Sequence, residues 1–242
     1  MLIIGDVHGC INLLEGLLTN VEDEDIYFVG DLIDRGKKSI ETLKYVMGNG
    51  YKVIMGNHEK LMLDFILYKN HENKRWWYEC GGKVTHKAFE YKISPKERGE
   101  ILNYLKKLPY YYYLENENIF ISHAGLKWYH IDNSYGDEKS RFIKLINMQK
   151  PDDFIWTRKD FYNNEAFGEY KTILVAGHTP THRINIYLME PQILRRQNKF
   201  LIDCCAYDKG ILAALQIIDN QVIEHYFSED KGYYFHGPKD LR

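Results

Sequence analysis

Five short apolar runs in this 242-residue chain end in side chains that bind metals or move protons. "IIGDVHG" delivers Asp6 and His8. "FVGDLIDRG" delivers Asp31, Asp34 and Arg35, and "VIMGNHE" delivers Asn57, His58 and Glu59. "IFISHAG" delivers His123 and "LVAGHTP" delivers His178. One such residue alone says little, because an Asp after a strand commonly serves a turn. The set is hard to explain as turns. Asp-x-His places two metal-capable side chains on one extended segment. Carboxylates mixed with imidazoles and a side-chain amide suit a borderline divalent ion such as Mn, Fe or Zn. No thiolate accompanies them, which argues against a structural zinc site. Four such donors suffice for one ion, and this set is large enough for two.

Elements that could position these residues follow from the hydrophobic pattern. Leu2–Ile4 reads as a buried strand, and Ile11, Leu14, Leu17 and Leu18 recur at helical spacing behind it. "DIYFVG" and "YKVIMG" read as further strands. "SIETLKYVMGNG" reads as a helix ended by Gly48 and Gly50, and "KLMLDFILY" starts another. Each of these strands stops at a glycine and feeds a loop and a helix, the pattern of an α/β fold. Residues 68–93 are polar and aromatic and fit no clear element; with the helix after them they read as an insertion over 68–108 that rims the site. Ser94, Pro95 and Glu97 mark the start of a helix over 95–107. Tyr110–Leu114 and Ile119–Ser122 read as a hairpin. "TILVAG" reads as a buried strand, and "FLID", "ILAALQII" and "QVIEHY" as late antiparallel strands with a turn at Asp219–Asn220. Strands alternating with helices early and running together late suggest two mixed sheets in one domain, 1–242. Outside the carboxyl ends of such strands, loops converge on one site.

Composition narrows the class. Apolar residues at 45% can fill a core, and the formal net charge of −2 points to neither nucleic acid nor a membrane surface. The apolar start "MLII" is too short for a signal peptide, and no apolar run approaches a membrane span. Cys10, Cys80, Cys204 and Cys205 form no C-x-x-C pair, so free thiols in a reducing cytoplasm are the simpler reading.

The ordered motifs "GDVHG", "GDLIDRG" and "GNHE", with 21 residues between His8 and Gly30 and 21 between Asp34 and Gly56, resemble the phosphoprotein-phosphatase signature of the calcineurin-like metallophosphoesterases. "HAG" and "GHTP" complete it, the latter in the form of the bacterial and phage-type branch. The motifs span residues 5–180. The resemblance implies two mixed β-sheets packed together and flanked by helices. It implies that Asp6, His8 and Asp31 hold a first ion, and that Asp31, Asn57, His123 and His178 hold a second, with Mn expected and Fe or Zn as alternatives. It makes His58 a general acid held by Asp34 rather than a ligand. Arg35 would bind phosphate oxygens, and Arg158 in "FIWTRKDF" stands in a similar context for the second arginine. Two ions bridged by a carboxylate lower the pKa of a shared water and stabilise an in-line displacement, and the arginine fork matches phosphate oxygens.

Other residues take plainer readings. Glu59 suits the N-terminus of the following helix. His182 is expected to face solvent, and His71, His86, His130, His225 and His236 to be structural. Trp76, Trp77 and Tyr110–Tyr113 read as core and strand. Cys204 and Cys205 stand where many relatives have a turn glycine, and would be oxidation-sensitive only if one faced the site. The spellings "GDLIDRG" and "GNHE" lean toward a phosphatase of phosphoserine and phosphothreonine, with phosphotyrosine also open, and so toward a phosphorylated protein or peptide as partner. The alternative is a hydrolase of dinucleoside polyphosphates or a nucleotide phosphodiesterase. A binding module that has lost catalysis is disfavoured by the complete set of ligands.

Overall fold

The computed structural model describes residues 1–69 and 71–241. Its strands form two sheets. The first runs β11-β10-β9-β1-β2-β3 and the second β4-β5-β6-β8-β7. In chain order the strands are β1 (Leu2–Ile4), β2 (Ile26–Phe28), β3 (Lys52–Val53), β4 (Tyr111–Leu114), β5 (Ile119–Ser122), β6 (Ile173–Ala176), β7 (Leu194–Arg196), β8 (Lys199–Leu201), β9 (Ile211–Ile218), β10 (Gln221–Ser228) and β11 (Gly232–Asp240). The expected pair of mixed sheets flanked by helices is what the chain forms.

The short apolar runs are strands because both of their faces are buried, so they need no polar alternation. In β1, Ile3 joins a cluster with Tyr27, Ile121, Val175 and Phe200 that fills the space between the sheets. Leu2 and Ile4 point the other way, toward α1 (Ile11–Asn20) and α2 (Ser39–Gly48). In β6, Ile173 and Val175 face the second sheet's partner while Leu174 and Ala176 face helices. Period-two exposure to two separate apolar clusters fixes the register, since a one-residue slip would exchange every side chain between them.

Parallel pairing decides where the loops go. β1, β2 and β3 are parallel neighbours, and β5, β6 and β8 are parallel neighbours in the other sheet. Their carboxyl ends therefore open on common rims. "FLID" was expected to be antiparallel; it is β8, parallel to β6 and antiparallel only to β7. The turn at Asp219–Asn220 has positive φ at both residues, 48° and 61°, as a two-residue hairpin between β9 and β10 requires.

Residues 68–93 contain two helices that the hydrophobic pattern did not show. After α3 (Asn57–Tyr68) come α4 (His71–Glu79) and α5 (Lys83–Tyr91). Only Trp77 of α4 is buried, so no amphipathic stripe announces that helix. The next, α6 (Pro95–Leu105), starts as expected: Ser94 Oγ accepts the Glu97 N–H at 3.3 Å and the Glu97 carboxylate accepts the Ser94 N–H at 2.7 Å. Later come α7 (Glu138–Asn147) and α8 (Pro151–Trp156). Among the described residues no helix is long and apolar enough to cross a membrane.

Candidate active site

The loops after β1, β2, β3, β5 and β6 meet at the sheet edge, and their chemistry-bearing residues are buried there. Asp6, His8, Asp31, Asp34, Asn57, His58, His123 and His178 are each at most 6% exposed. Several hold backbones that side chains rarely adopt: His8, Asp31, Asp34, Arg35 and His178 have φ between 47° and 71°. Such left-handed residues cost of order 1–3 kcal/mol each and persist only when neighbours over-determine them. The neighbours are visible. His8 N–H donates to Asp31 O at 2.8 Å, Gly9 N–H to Leu32 O at 2.8 Å, and Gly36 N–H to His8 O at 3.0 Å.

Glu59 completes this clamp. Its carboxylate accepts the Gly56 N–H at 3.2 Å, which is the expected helix cap. It also accepts the N–H groups of Asp31, Leu32 and Ile33 at 2.8, 2.9 and 3.3 Å. One buried acid on α3 thus fixes the loop that carries Asp31. The approach is close enough that a Cβ on Gly56 would stand 2.2 Å from Asp31 Oδ1.

Asp31 lies at the centre. Its Oδ2 is 3.4 Å from His123 Nε2, 3.6 Å from His8 Nε2 and 3.8 Å from His58 Nε2. His8 donates through Nδ1 to Ile33 O at 2.8 Å and His123 through Nδ1 to Val29 O at 2.7 Å. These carbonyls fix the tautomers and turn both Nε2 lone pairs inward, the arrangement that metal-binding imidazoles need. Asn57 Oδ1 lies 2.8 Å from His123 Nε2 and 2.9 Å from His178 Nδ1. Asp6 Oδ2 accepts the His178 N–H at 2.9 Å, which links the ends of β1 and β6 across the two sheets.

Electrostatics shows a site short of cations. Burial alone would raise the Asp31 carboxyl, but the imidazoles of His123, His58 and His8 outweigh it and hold Asp31 well below the usual range. Asp6 is pushed well above that range by burial and by the nearby Asp203 carboxylate. Burial drives His8 and His178 down, helped by Arg35 for His8 and by His123 for His178. His123 resists its own burial because Asp31 and Asp6 raise it to about 9.

The donors fit divalent ions. Asp6 Oδ1, His178 Nε2 and His58 Nε2 are buried without hydrogen-bond partners, which is costly unless something else satisfies them. Ligand atoms of Asp31, His123 and His178 lie within 4.8 Å of one another, as do those of His8, Asp31 and His58. The structure therefore brings every expected ligand to one place. It also sets His58 Nε2 beside the Asp31 carboxylate, while His58 Nδ1 is tied to Asp34 Oδ2 at 2.7 Å. Asp34 is in turn gripped. Its Oδ2 accepts the Trp77 Nε1–H at 2.7 Å, and its N–H is within 2.9 Å of Ser39 Oγ and 3.1 Å of Thr85 Oγ1. Trp77 is core, as expected, but it also orients the acid that orients His58.

Both arginines border the expected ligands. Arg35 donates from Nη1 to His8 Nε2 at 2.6 Å, and its guanidinium lies 4.6 Å from the centre of the Tyr207 ring. Arg158 donates from Nη1 to Thr179 Oγ1 at 3.0 Å. Beyond Tyr207 opens a cavity of about 470 Å³ lined by Gly9, Asn12, Lys37, Lys38 and Lys209 and by acids including Asp208.

A profile described as calcineurin-like phosphoesterase matches residues 1–210. The chain belongs to that family. A phosphoesterase of Oceanobacillus iheyensis named an asymmetrical bis(5′-nucleosyl)-tetraphosphatase is 30% identical over 76% of this chain and 81% of its own length. A symmetrical bis(5′-nucleosyl)-tetraphosphatase of a Marinomonas species is 31% identical over 51% of this chain but only 43% of its own length. A crystal structure provisionally named a diadenosine tetraphosphatase superposes with a TM-score of 0.63, covering 92% of this chain and 91% of that one at 19% identity, which shows the shared fold.

These relatives overturn the protein-phosphatase reading and, with it, the phosphorylated protein as partner. The physical reason is plain in the site. "GDLIDRG" and "GNHE" supply the proposed ligands, the arginine and the His58–Asp34 pair. These groups would act on the phosphoryl group and its leaving oxygen, which protein and nucleotide substrates share, so their spelling does not separate the two.

Besides the role of Trp77, Asp203 escaped the sequence reading. Asp203, at the carboxyl end of β8, is buried, accepts the Cys205 N–H at 2.8 Å through Oδ1 and leaves Oδ2 unpartnered. Burial raises it to about 6, against the pull of Arg35. Cys205 has φ of 63°, the conformation that suits the glycine common there. Both cysteines are buried, and burial pushes the Cys205 thiol to about 11 and Cys204 well above its ordinary value. Thiols held protonated react slowly, so the oxidation-sensitive spot has no support.

Proposed function

We propose that this chain is a metal-dependent hydrolase of dinucleoside polyphosphates, acting as one domain over 1–242 with residues 68–108 as the rim of its site. The observation that carries the substrate class is the match, over three quarters of the chain, to a phosphoesterase named a bis(5′-nucleosyl)-tetraphosphatase. The site's chemistry agrees with it. Asp6, His8 and Asp31 would hold one divalent ion and Asp31, Asn57, His123 and His178 a second, with Mn the first ion to test. Such a pair supplies a hydroxide near neutral pH and neutralises charge on a phosphoryl group.

The chain's own residues do the rest. Arg35 and Arg158 bind phosphoryl oxygens through planar forks. Tyr207 holds the Arg35 guanidinium in place. His58, anchored through Nδ1 by Asp34, presents Nε2 for proton transfer to the leaving oxygen.

Incubating the Mn-loaded protein with diadenosine tetraphosphate and separating the nucleotides tests the reading. Formation of ATP plus AMP, or of two ADP, is the expected result, and the ratio tells asymmetric from symmetric cleavage. No nucleotide product from a preparation that still hydrolyses a simple phosphate monoester would sink it.

A further inference from the structure

The rim carries an aromatic step that the chemistry above leaves unused. Trp76 on α4 stacks on Trp156 at the end of α8, with ring centroids 4.7 Å apart and planes 17° from parallel. Trp156 in turn sets its ring edge against His178, centroids 5.9 Å apart at 86°. Arg158 lies two residues beyond Trp156 and reaches Thr179, next to His178. The step therefore leads from a proposed metal ligand and a phosphate-binding arginine outward to solvent.

Trp76 is 47% exposed although one of its faces is covered by Trp156. Tryptophan is enriched where one end of a side chain is packed and the other is wet, as at binding surfaces. Trp76 is also held still. The next residue, Trp77, is fully buried and bonded to Asp34, so α4 cannot turn without breaking the anchor of His58. A rigid ring with one face covered and the rest open offers a flat apolar surface at little entropic cost.

We propose that Trp76, backed by Trp156, is the nucleobase subsite, on which a purine stacks while its phosphates run past Arg158 to the reacting centre. The proposal rests on the dinucleoside-polyphosphate reading and adds where the base sits. Stacking accepts any base with a large π-face, so adenine and guanine dinucleotides bind alike and pyrimidine ones more weakly.

The test compares wild type with Trp76→Ala and Trp76→Phe in the full, Mn-loaded chain. Stacking lost to alanine changes affinity by about 5- to 150-fold. Trp76→Ala is expected to raise KM for diadenosine tetraphosphate about tenfold or more, with kcat within about twofold, and Trp76→Phe to recover most of it. Inorganic tripolyphosphate, which has phosphates but no base, should show no change. Titration with AMP should quench intrinsic tryptophan fluorescence in wild type and far less in Trp76→Ala. An unchanged KM for the dinucleotide, or an equal rise for tripolyphosphate, would overturn the subsite. If wild type fails to cleave the dinucleotide yet AMP still quenches in a Trp76-dependent way, the substrate reading falls and the base subsite stands.

Discussion

His58 shows how adjacency is used. Asn57 and His58 start the same helix, yet Asn57 Oδ1 turns toward His123 and His178 while His58 Nδ1 turns to Asp34. An acid catalyst matters most when the leaving oxygen is strongly basic. A nucleoside polyphosphate leaves as a phosphate, which is a weak base, whereas an alkyl phosphate leaves as an alkoxide. We therefore expect His58→Asn to lower kcat on an alkyl phosphate by about 10²–10⁴-fold, but clearly less on diadenosine tetraphosphate, with bound metal unchanged by elemental analysis. An equal loss on both substrates would mean that His58 does something other than deliver a proton. Trp77→Phe keeps an aromatic ring in the core, at the loss of the indole's second ring, and removes the N–H that holds Asp34. It should lower the alkyl-phosphate rate about tenfold through misorientation of His58, since losing one hydrogen bond to a charged group costs about 1.5–3 kcal/mol. These roles differ in how far the sequence showed them. The proposed ligands were readable because they sit in five ordered motifs. Trp77 was not, since a tryptophan in a helix looks like core from sequence, and its indole N–H finds Asp34 only once segments 43 positions apart have folded together.

Secondary elements set what else was legible. The direction of a strand decides which end feeds the site, and for "FLID" the sequence carries no signal of direction. As β8, parallel to β6, it puts Asp203 at the same rim as His178. β7 and β11 were missed for a related reason. Their side chains are only partly buried, so their patterns lack a clear apolar period. Glu59 was half read. The helix cap was local and visible, but its three bonds to the Asp31 loop join residues 26 to 28 positions apart. Glu59→Gln keeps the shape and exchanges an acceptor oxygen for an N–H₂ that faces other donors. We expect about 2 kcal/mol of lost stability, seen as a lower urea midpoint at unchanged slope in metal-free protein, together with reduced turnover. A second test lies toward the far edge of the first sheet. His225 on β10 is buried, with Nδ1 2.7 Å from Tyr233 Oη on β11 and Nε2 2.9 Å from Gln216 Oε1 on β9. Burial lowers it to about 4. The unfolded chain, with an ordinary histidine near 6.5, then binds more protons between these values. The stability held by neutral His225 is complete above about pH 6.5 and is lost progressively as pH falls toward about 4. His225→Gln should flatten the pH dependence of Tm across that window; an unchanged slope would show that other groups govern it.

At the scale of the whole molecule, the site is a seam. Asp6, His8, Asp31 and Asn57 arrive on loops of the first sheet, and His123 and His178 on loops of the second. Hydrogen bonds such as His178 N–H to Asp6 Oδ2, and the contact of Asp31 with His123, join the two sets at this edge. The seam also gathers Asp6, Asp31 and Asp203, whose charges face one another in a buried space. Divalent ions bound there would tie the sheets together and relieve that repulsion, so the folded state should bind them far better than the unfolded chain. Selective binding stabilises by RT ln(1 + [L]/Kd), about 2.7 kcal/mol when the free ion is at 100 times Kd. For a domain of this size that corresponds to a rise in Tm of roughly 5–10 °C, at about 2–4 °C per kcal/mol. Protein stripped with chelator should melt lower than the same protein with Mn, and the difference should grow with the logarithm of Mn concentration. Asp31→Asn removes the carboxylate that faces both sets of imidazoles, so it should abolish most of the shift. Calorimetric scans with and without Mn read this without any substrate. A Tm that does not respond to Mn in wild type would mean that the seam is held by its own hydrogen bonds and that the proposed dinuclear centre is wrong, whatever the substrate proves to be.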